Sequence, residues 1–288
     1  MDAGLEPTEM FALGDALFAE AIIAVQARLA RPVLVGLTGA QGSGKSTSAR
    51  RLSDRLERAG HQTAMLSLDD FYLTRAERRT LAGQIHPLFA VRGVPGTHDV
   101  ALMTRTISAL LSARDDSITP IPVFDKATDD RVEEENWRLH HGRASVVLLE
   151  GWCVGARPQL ESVLADPVNA LERGADADGR WRRYVNACLA GEYAVLFAKL
   201  DLRLLLRAPF FSCVLNWRAE QEAGLDRSAP GSLEPMTEVQ LAHFIEHYER
   251  VTCWLMDDEP SDLVADLDER RVPTRWRWKG ELPGRNWP

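Results

Sequence analysis

The run PVLVGLTGAQGSGKS, residues 32–46, joins an uninterrupted apolar segment to a glycine-rich octapeptide. An apolar run of that kind reads as a strand buried on both faces of a parallel sheet. GAQGSGKS, Gly39 to Ser46, fits the pattern GxxxxGK[ST]. Its glycines let the backbone turn tightly, so that successive N–H groups point at phosphate oxygens where a helix begins. Gly39, Ala40, Gln41, Gly42, Ser43 and Gly44 make the cradle, and Thr47 follows on the first helical turn. Lys45 is placed to reach the β- and γ-phosphates, and the Ser46 hydroxyl to ligate Mg²⁺. The octapeptide alone recurs by chance, but a strand before it and a helix after it supply the confirming context. Lys45, Lys126, Lys199 and Lys279 are the only lysines in an arginine-rich chain, so a lysine at this position carries weight. The expected ligand is a nucleoside triphosphate.

Working outward, residues 8–30 carry apolar positions at helical spacing, and a helix is expected from about Ser46 to Arg58. QTAMLSLD reads as a second strand, and residues 75–96 as a long loop. DVALMTRTISALLSA follows as a helix, then ITPIPVF and ASVVLLEG as strands. Beyond Pro158 the pattern gives a helix at WRRYVNACLAGEYAVLFAKL and a strand at LDLRLLLRAP. Helices follow at PFFSCVLNWRAEQEAG and TEVQLAHFIEHYERVTCWLMDD, with a last buried strand at DLVADLD. ADPVNALERGADADG and DRSAPGSLEP read as surface loops. The alternation predicts an α/β fold of the P-loop NTPase type, three layers around a mainly parallel sheet. Helical additions are expected to form a lid and a wall for a second substrate.

Across 288 residues, 45% hydrophobic and 26% charged, the composition is that of a globular protein. A net charge of −8 argues against a nucleic-acid partner held by bulk electrostatics. Cys153, Cys188, Cys213 and Cys253 are widely spaced, as expected for reduced thiols in a cytoplasmic protein. ALFAEAIIAVQARLA is broken by Glu20 and Gln26, so it reads as an amphipathic helix with no place in a membrane. Oligomeric state is left open.

No lysine sits in a guanine-reading NKxD-like motif, and no LSGGQ-like transporter signature occurs. Carboxylates do stand at the ends of two further strands: Asp69 with Asp70, and Glu150. Ligands of open α/β sheets sit outside those strand ends. Asp69 is the expected general base for a substrate hydroxyl. Asp70 is read either as an aid to Mg²⁺ or its waters, or as the cap of the next turn. Glu150 is the expected metal-side acid, holding Mg²⁺ through water.

SLDDFYLT, RGVPGTHD (Arg92 to Asp99), PVFDKATDDR (Pro122 to Arg131) and LLEGWCVGA (Leu148 to Ala156) resemble the D-glycerate 3-kinase family and its kinase-like relatives. These are cousins of the uridine kinase, phosphoribulokinase and pantothenate kinase group. The resemblance spans roughly residues 33–268. It implies transfer of the ATP γ-phosphoryl group to the 3-hydroxyl of D-glycerate, with Asp69 as the group's strand-end base. An anionic acceptor beside ATP needs fixed positive charge, and Arg92, His98 and Lys126 are the candidates. Arg218 is read as a lid residue over the phosphates, with Arg207 a weaker candidate. The layout expected is a single kinase domain: an N-terminal helix at 1–31, a core with helical insertions at 32–272 and a C-terminal extension at 273–288.

FDKATDDR is compressed between its DK and DR, and this departure bears on the acceptor. A kinase for a nucleoside or pantothenate-like hydroxyl therefore stays open, as does an ATP-binding regulator without kinase activity. HFIEH, His243 to His247, fits an inverted zinc-protease pattern but reads as part of an amphipathic helix. RWRWKG reads as a strand with one packed face, and Trp152, two residues after Glu150, as a wall of the site.

Overall fold

The computed structural model describes residues 6–223 and 236–279. The first elements are α1 (Pro7–Leu29), β1 (Val33–Gly39), α2 (Lys45–Arg58), β2 (Thr63–Ser67), α3 (Arg75–Gln84) and α4 (Val100–Leu111). Four short strands follow: β3 (Ile118–Ile121), β4 (Phe124–Asp125), β5 (Asp130–Arg131) and β6 (Arg138–His141). Then come β7 (Val146–Gly151), α5 (Ala170–Ala175), α6 (Arg180–Cys188), α7 (Ala194–Phe197) and β8 (Leu202–Arg207). The chain continues through α8 (Ser212–Ala223), α9 (Glu238–Asp258), β9 (Leu263–Leu267) and β10 (Pro273–Trp278).

Six strands form one sheet in the order β10-β9-β8-β1-β7-β2. All neighbours in it pair in parallel except β9 and β10. Every residue of β1 and β7 is buried. Leu34 packs into a core with Val147 and Leu149, while Val33, Val35 and Leu37 pack into a second core on the opposite face. A central parallel strand covered on both sides is the three-layer arrangement that its unbroken apolar run requires.

Helix α1 is long and apolar enough, by length and composition, to cross a bilayer. Here its buried face belongs to the second core. Gly14 admits the Trp276 indole of β10 so closely that a Cβ would stand 1.9 Å from the ring. Asp15 pairs with Arg51 of α2 at 2.6 Å, and Glu20 stays exposed.

Several expectations are corrected. Residues 75–84 are helical, not loop, because Thr74 and Glu77 close a reciprocal capping box. The single helix expected over residues 181–200 breaks at Gly191, which leaves helical geometry at φ −94°, ψ −111° and separates α6 from α7. ITPIPVF does not enter the main sheet; β3 pairs with β6 in a separate ribbon. ADPVNALERGADADG is no surface loop. Glu172 and Asp176 within it are 1% and 0% exposed, each paired with a buried arginine. The RWRW of RWRWKG does lie in a strand with one packed face: residues 273–278 supply the antiparallel edge strand β10, with Trp276 and Trp278 packed on the second core. DRSAPGSLEP lies outside the described residues.

The Glu172–Arg250 pair fastens α5 to α9, the helix that walls the cleft described below. Its two hydrogen bonds measure 2.6 and 2.7 Å. Removing one partner of a buried, well-bonded pair strands the other charge. Glu172→Ala should therefore lower unfolding free energy by about 3–5 kcal/mol, read by urea denaturation.

Candidate functional site

The loop between β1 and α2 needs its glycines where the structure bends. Gly42 and Gly44 have φ of 72° and 87°, the left-handed region that glycine enters without penalty. A Cβ at Gly42 would stand 2.5 Å from Trp217 of α8, which packs over the loop. Arg271 fastens the loop from outside, donating from Nε to the Gly42 carbonyl at 2.7 Å with its guanidinium over the Trp217 ring. Gln41, Lys45 and Ser46 line a cleft at the strand ends. Buried polar atoms without a hydrogen-bond partner among the described residues gather here: both amide atoms of Gln41, the Ser43 hydroxyl and Glu150 Oε2. Such atoms cost free energy unless a ligand or water satisfies them.

Glu150 is the penultimate residue of β7, beside β1 in the sheet, and its Oε1 accepts from Ser46 Oγ at 2.8 Å. A hydroxyl and a carboxylate with one unengaged oxygen suit Mg²⁺, which takes few protein ligands and keeps water and phosphate oxygens. No group of three or more His, Cys, Asp or Glu side chains forms a metal cage among the described residues. The donor set thus fits Mg²⁺ held mainly by phosphates.

Asp69 and Asp70 lie just past β2, on a 3-10 turn covering Leu68–Phe71. That turn, not strand alternation, sends them apart. Asp69 faces the cleft, with Oδ2 accepting from Lys126 Nζ at 2.5 Å and Oδ1 from the Tyr72 hydroxyl at 3.0 Å. Burial pushes its carboxyl up, but Lys126 and Lys45 together outweigh burial and hold it well below the usual range. Asp70 is not among the cleft residues, which corrects the expectation of a metal role. It pairs instead with distant groups, accepting from the Phe124 N–H at 3.3 Å and from Arg138 at 2.9 Å. Burial raises it to about 6.

On the acceptor side, FDKATDDR folds as a tight hairpin, β4 to β5. It presents Lys126 to the cleft, and Asp129, at φ 58°, bridges Arg92 and Arg78. Arg92 reaches the cleft with its guanidinium over Phe124. His98 does not. It is 3% exposed, stacked behind Tyr72 at 4.5 Å, and its Nδ1 meets the Tyr193 hydroxyl at 2.7 Å. Burial lowers its imidazole to about 3, so it is neutral and unsuited to holding an anion. Arg218 lines the cleft, buried, paired with Glu222 at 2.6 Å and lying over Phe244. Arg207 pairs instead with Glu259 and Asp266.

The sequence pattern gave no sign of Tyr248 and Phe244, which α9 adds to the cleft wall beside Trp152. Tyr248 donates to the Arg92 carbonyl at 3.1 Å, and Trp152 Nε1 to the Gly93 carbonyl at 3.0 Å. The HFIEH segment contributes Phe244 to this wall. His247 is buried, its Nδ1 directed at the carbonyls of His243 and Phe244.

A family model described as methylmalonyl Co-A mutase-associated GTPase MeaB matches residues 16–72, from α1 to the Asp69 turn. The chain is 34% identical over 257 residues to "Uncharacterized kinase mug58" of Schizosaccharomyces pombe, covering 84% of this chain and 90% of that protein. It is 28% identical over 258 residues to the chloroplastic D-glycerate 3-kinase of Arabidopsis thaliana, covering 84% of this chain and 54% of that protein. Among solved structures, the D-glycerate 3-kinase of Cryptococcus neoformans var. grubii superposes with a TM-score of 0.75 at 26% identity. That match covers 92% of this chain and 99% of the other.

Two measurements probe this geometry. Gly93 has φ 142°, and a Cβ there would stand 2.2 Å from the Tyr248 hydroxyl. Gly93→Ala should cost about 1–3 kcal/mol in urea unfolding, with Tyr248→Ala recovering part of it. Asp70, raised from 3.8 to about 6, favours its neutral form in the fold. Its contribution to stability is full below the ordinary aspartate value and is lost as pH rises through about 6. Asp70→Asn should remove that slope from unfolding free energies measured between about pH 4 and about pH 7.

Proposed function

This chain belongs to the D-glycerate 3-kinase family and its kinase-like relatives, and from that premise we propose that it phosphorylates D-glycerate. ATP, with Mg²⁺, donates the γ-phosphoryl group to the 3-hydroxyl, giving 3-phosphoglycerate and ADP. The observation that carries this reading is the position of Asp69. It shares one cleft with Lys45 and the Ser46–Glu150 pair, suited to phosphates, and with Arg92 and Lys126, suited to an anionic acceptor.

Phosphoryl transfer depends almost wholly on positioning and charge stabilisation. Lys45 bridges the β- and γ-phosphates, while Gln41 and the glycine cradle hold the same group. Ser46 and Glu150 would hold Mg²⁺, which when bound neutralises charge on the phosphate oxygens. Arg218 adds a positive charge from α8, and its buried Nη1 has no hydrogen-bond partner among the described residues. Arg92 takes the glycerate carboxylate, fixed from behind by Asp129. Asp69 accepts the hydroxyl proton, with Tyr72 holding its other oxygen and His98 bracing Tyr72. Trp152, Phe244 and Tyr248 narrow the cleft and limit access of water, which strengthens each charge interaction inside.

The test is ADP formation from Mg-ATP across D-glycerate, L-glycerate, nucleosides and pantothenate. D-glycerate should stimulate turnover above the others, and Asp69→Asn should reduce that turnover by about 10²–10⁴-fold with nucleotide affinity retained. Stimulation by a nucleoside or pantothenate alone would move the chain to a different acceptor. No stimulation by any acceptor, with ATP still bound, would overturn the small-molecule kinase reading.

A further inference from the structure

We propose that Lys126 is a latch on Asp69, released when the carboxylate of an acceptor draws its ammonium group away. The inference rests on the glycerate reading above and adds how acceptor binding is coupled to the base. A base is weakened when a cation is bonded to the oxygen that must take the proton, and both oxygens of Asp69 already accept a bond, one of them from an ammonium group. Oδ1 accepts from the Tyr72 hydroxyl and Oδ2 from Lys126 Nζ. Tyr72 cannot easily yield. It is 2% exposed, stacked on His98 and edge-on to Phe124. Lys126 can. It has Asp69 as its one partner among the described residues, and its side chain is 34% exposed at the tip of the β4–β5 hairpin.

Arg92 makes the contrast. Its side chain is 13% exposed, held by Asp129 and laid over Phe124. Of the two cations at the acceptor end, one is fixed and one is shared. The fixed guanidinium sets where a carboxylate docks. The shared ammonium then has two anions to choose between, and its move to the newcomer vacates Oδ2. The acceptor hydroxyl gives its proton to Oδ2 while its oxygen bonds to the γ-phosphorus. The bond from that phosphorus to the β–γ bridging oxygen breaks, and its electron pair leaves with ADP. A neutral alcohol, or water, supplies no charge to move Lys126, so the nucleotide is spared hydrolysis while the acceptor site is empty.

The test compares ADP release from Mg-ATP without acceptor, with glycerol and with D-glycerate. It uses the wild type, Lys126→Met, Lys126→Gln and the double variant Lys126→Met/Asp69→Asn. ADP affinity by calorimetry confirms that each variant keeps its nucleotide site. Lys126→Met should raise acceptor-free release about tenfold or more, and the added Asp69→Asn should abolish the rise. Glycerol, inert with the wild type, should become a phosphoryl acceptor. If Lys126→Met loses ADP binding, Lys126→Gln, which keeps an uncharged donor of similar length, decides by the same rise. Acceptor-free release that stays level or falls in the variants that bind ADP overturns the latch. If D-glycerate still stimulates the wild type in that case, the glycerate reading stands without it. If D-glycerate leaves the wild type unmoved while the Lys126 variants hydrolyse faster, the latch stands and the acceptor assignment falls.

Discussion

Asp69 and Glu150 meet Lys45, Arg92, Lys126 and Arg218 in one cleft at the ends of β1, β2 and β7. Four cations and two carboxylates line it, within a chain whose net charge is −8. Taking charges out of water is costly, and the cost falls only when each charge has a partner. Every neighbouring element answers that requirement. The β4–β5 hairpin brings Lys126 to Asp69, Asp129 stands behind Arg92, and Glu222 stands behind Arg218.

How much of this could be read from the chain depended on the range of each contact. The β1–loop–α2 unit is local, so its strand, glycines, Lys45 and Ser46 were legible, and the helix starts within one residue of the expected position. Glu150 was legible because β7 carries a second continuous apolar run. Asp69 and Asp70 show where local reading stops: their place just past β2 could be read, but the 3-10 turn that sends one to the cleft and the other to Arg138 could not. His98 sits in a motif full of functional neighbours, yet only tertiary packing shows that Tyr72 stands in front of it. Tyr248 meets Arg92 across 156 residues of sequence, and no periodicity announces such a pairing. Glu172 and Asp176 were missed for a related reason. Charged residues read as surface until buried arginines from other elements are known to meet them.

The ion pairs divide by location. Glu172–Arg250 and Asp176–Arg182 are nearly dry and bonded through several atoms, and they join α5, α6 and α9 away from the phosphate loop. Lys126–Asp69 lies in the cleft with both side chains partly open. The first kind fixes where α9 stands and therefore where Phe244 and Tyr248 project. The second kind can be exchanged for contacts to a ligand. Rigidity behind the wall and exchangeable charge within it are complementary demands on one helix and one hairpin.

Arg271 bonds the Gly42 carbonyl across 229 residues, and Trp276 fills the notch left by Gly14. A chain emerging from the ribosome therefore makes its nucleotide loop early but cannot clasp it until Arg271 has been translated. Contacts of such separation carry a high loop-closure cost and slow the folding of the domains that depend on them. During that interval α1 already has α2 and β1 to pack against, while the Gly14 notch and the glycine loop wait for their two distant partners.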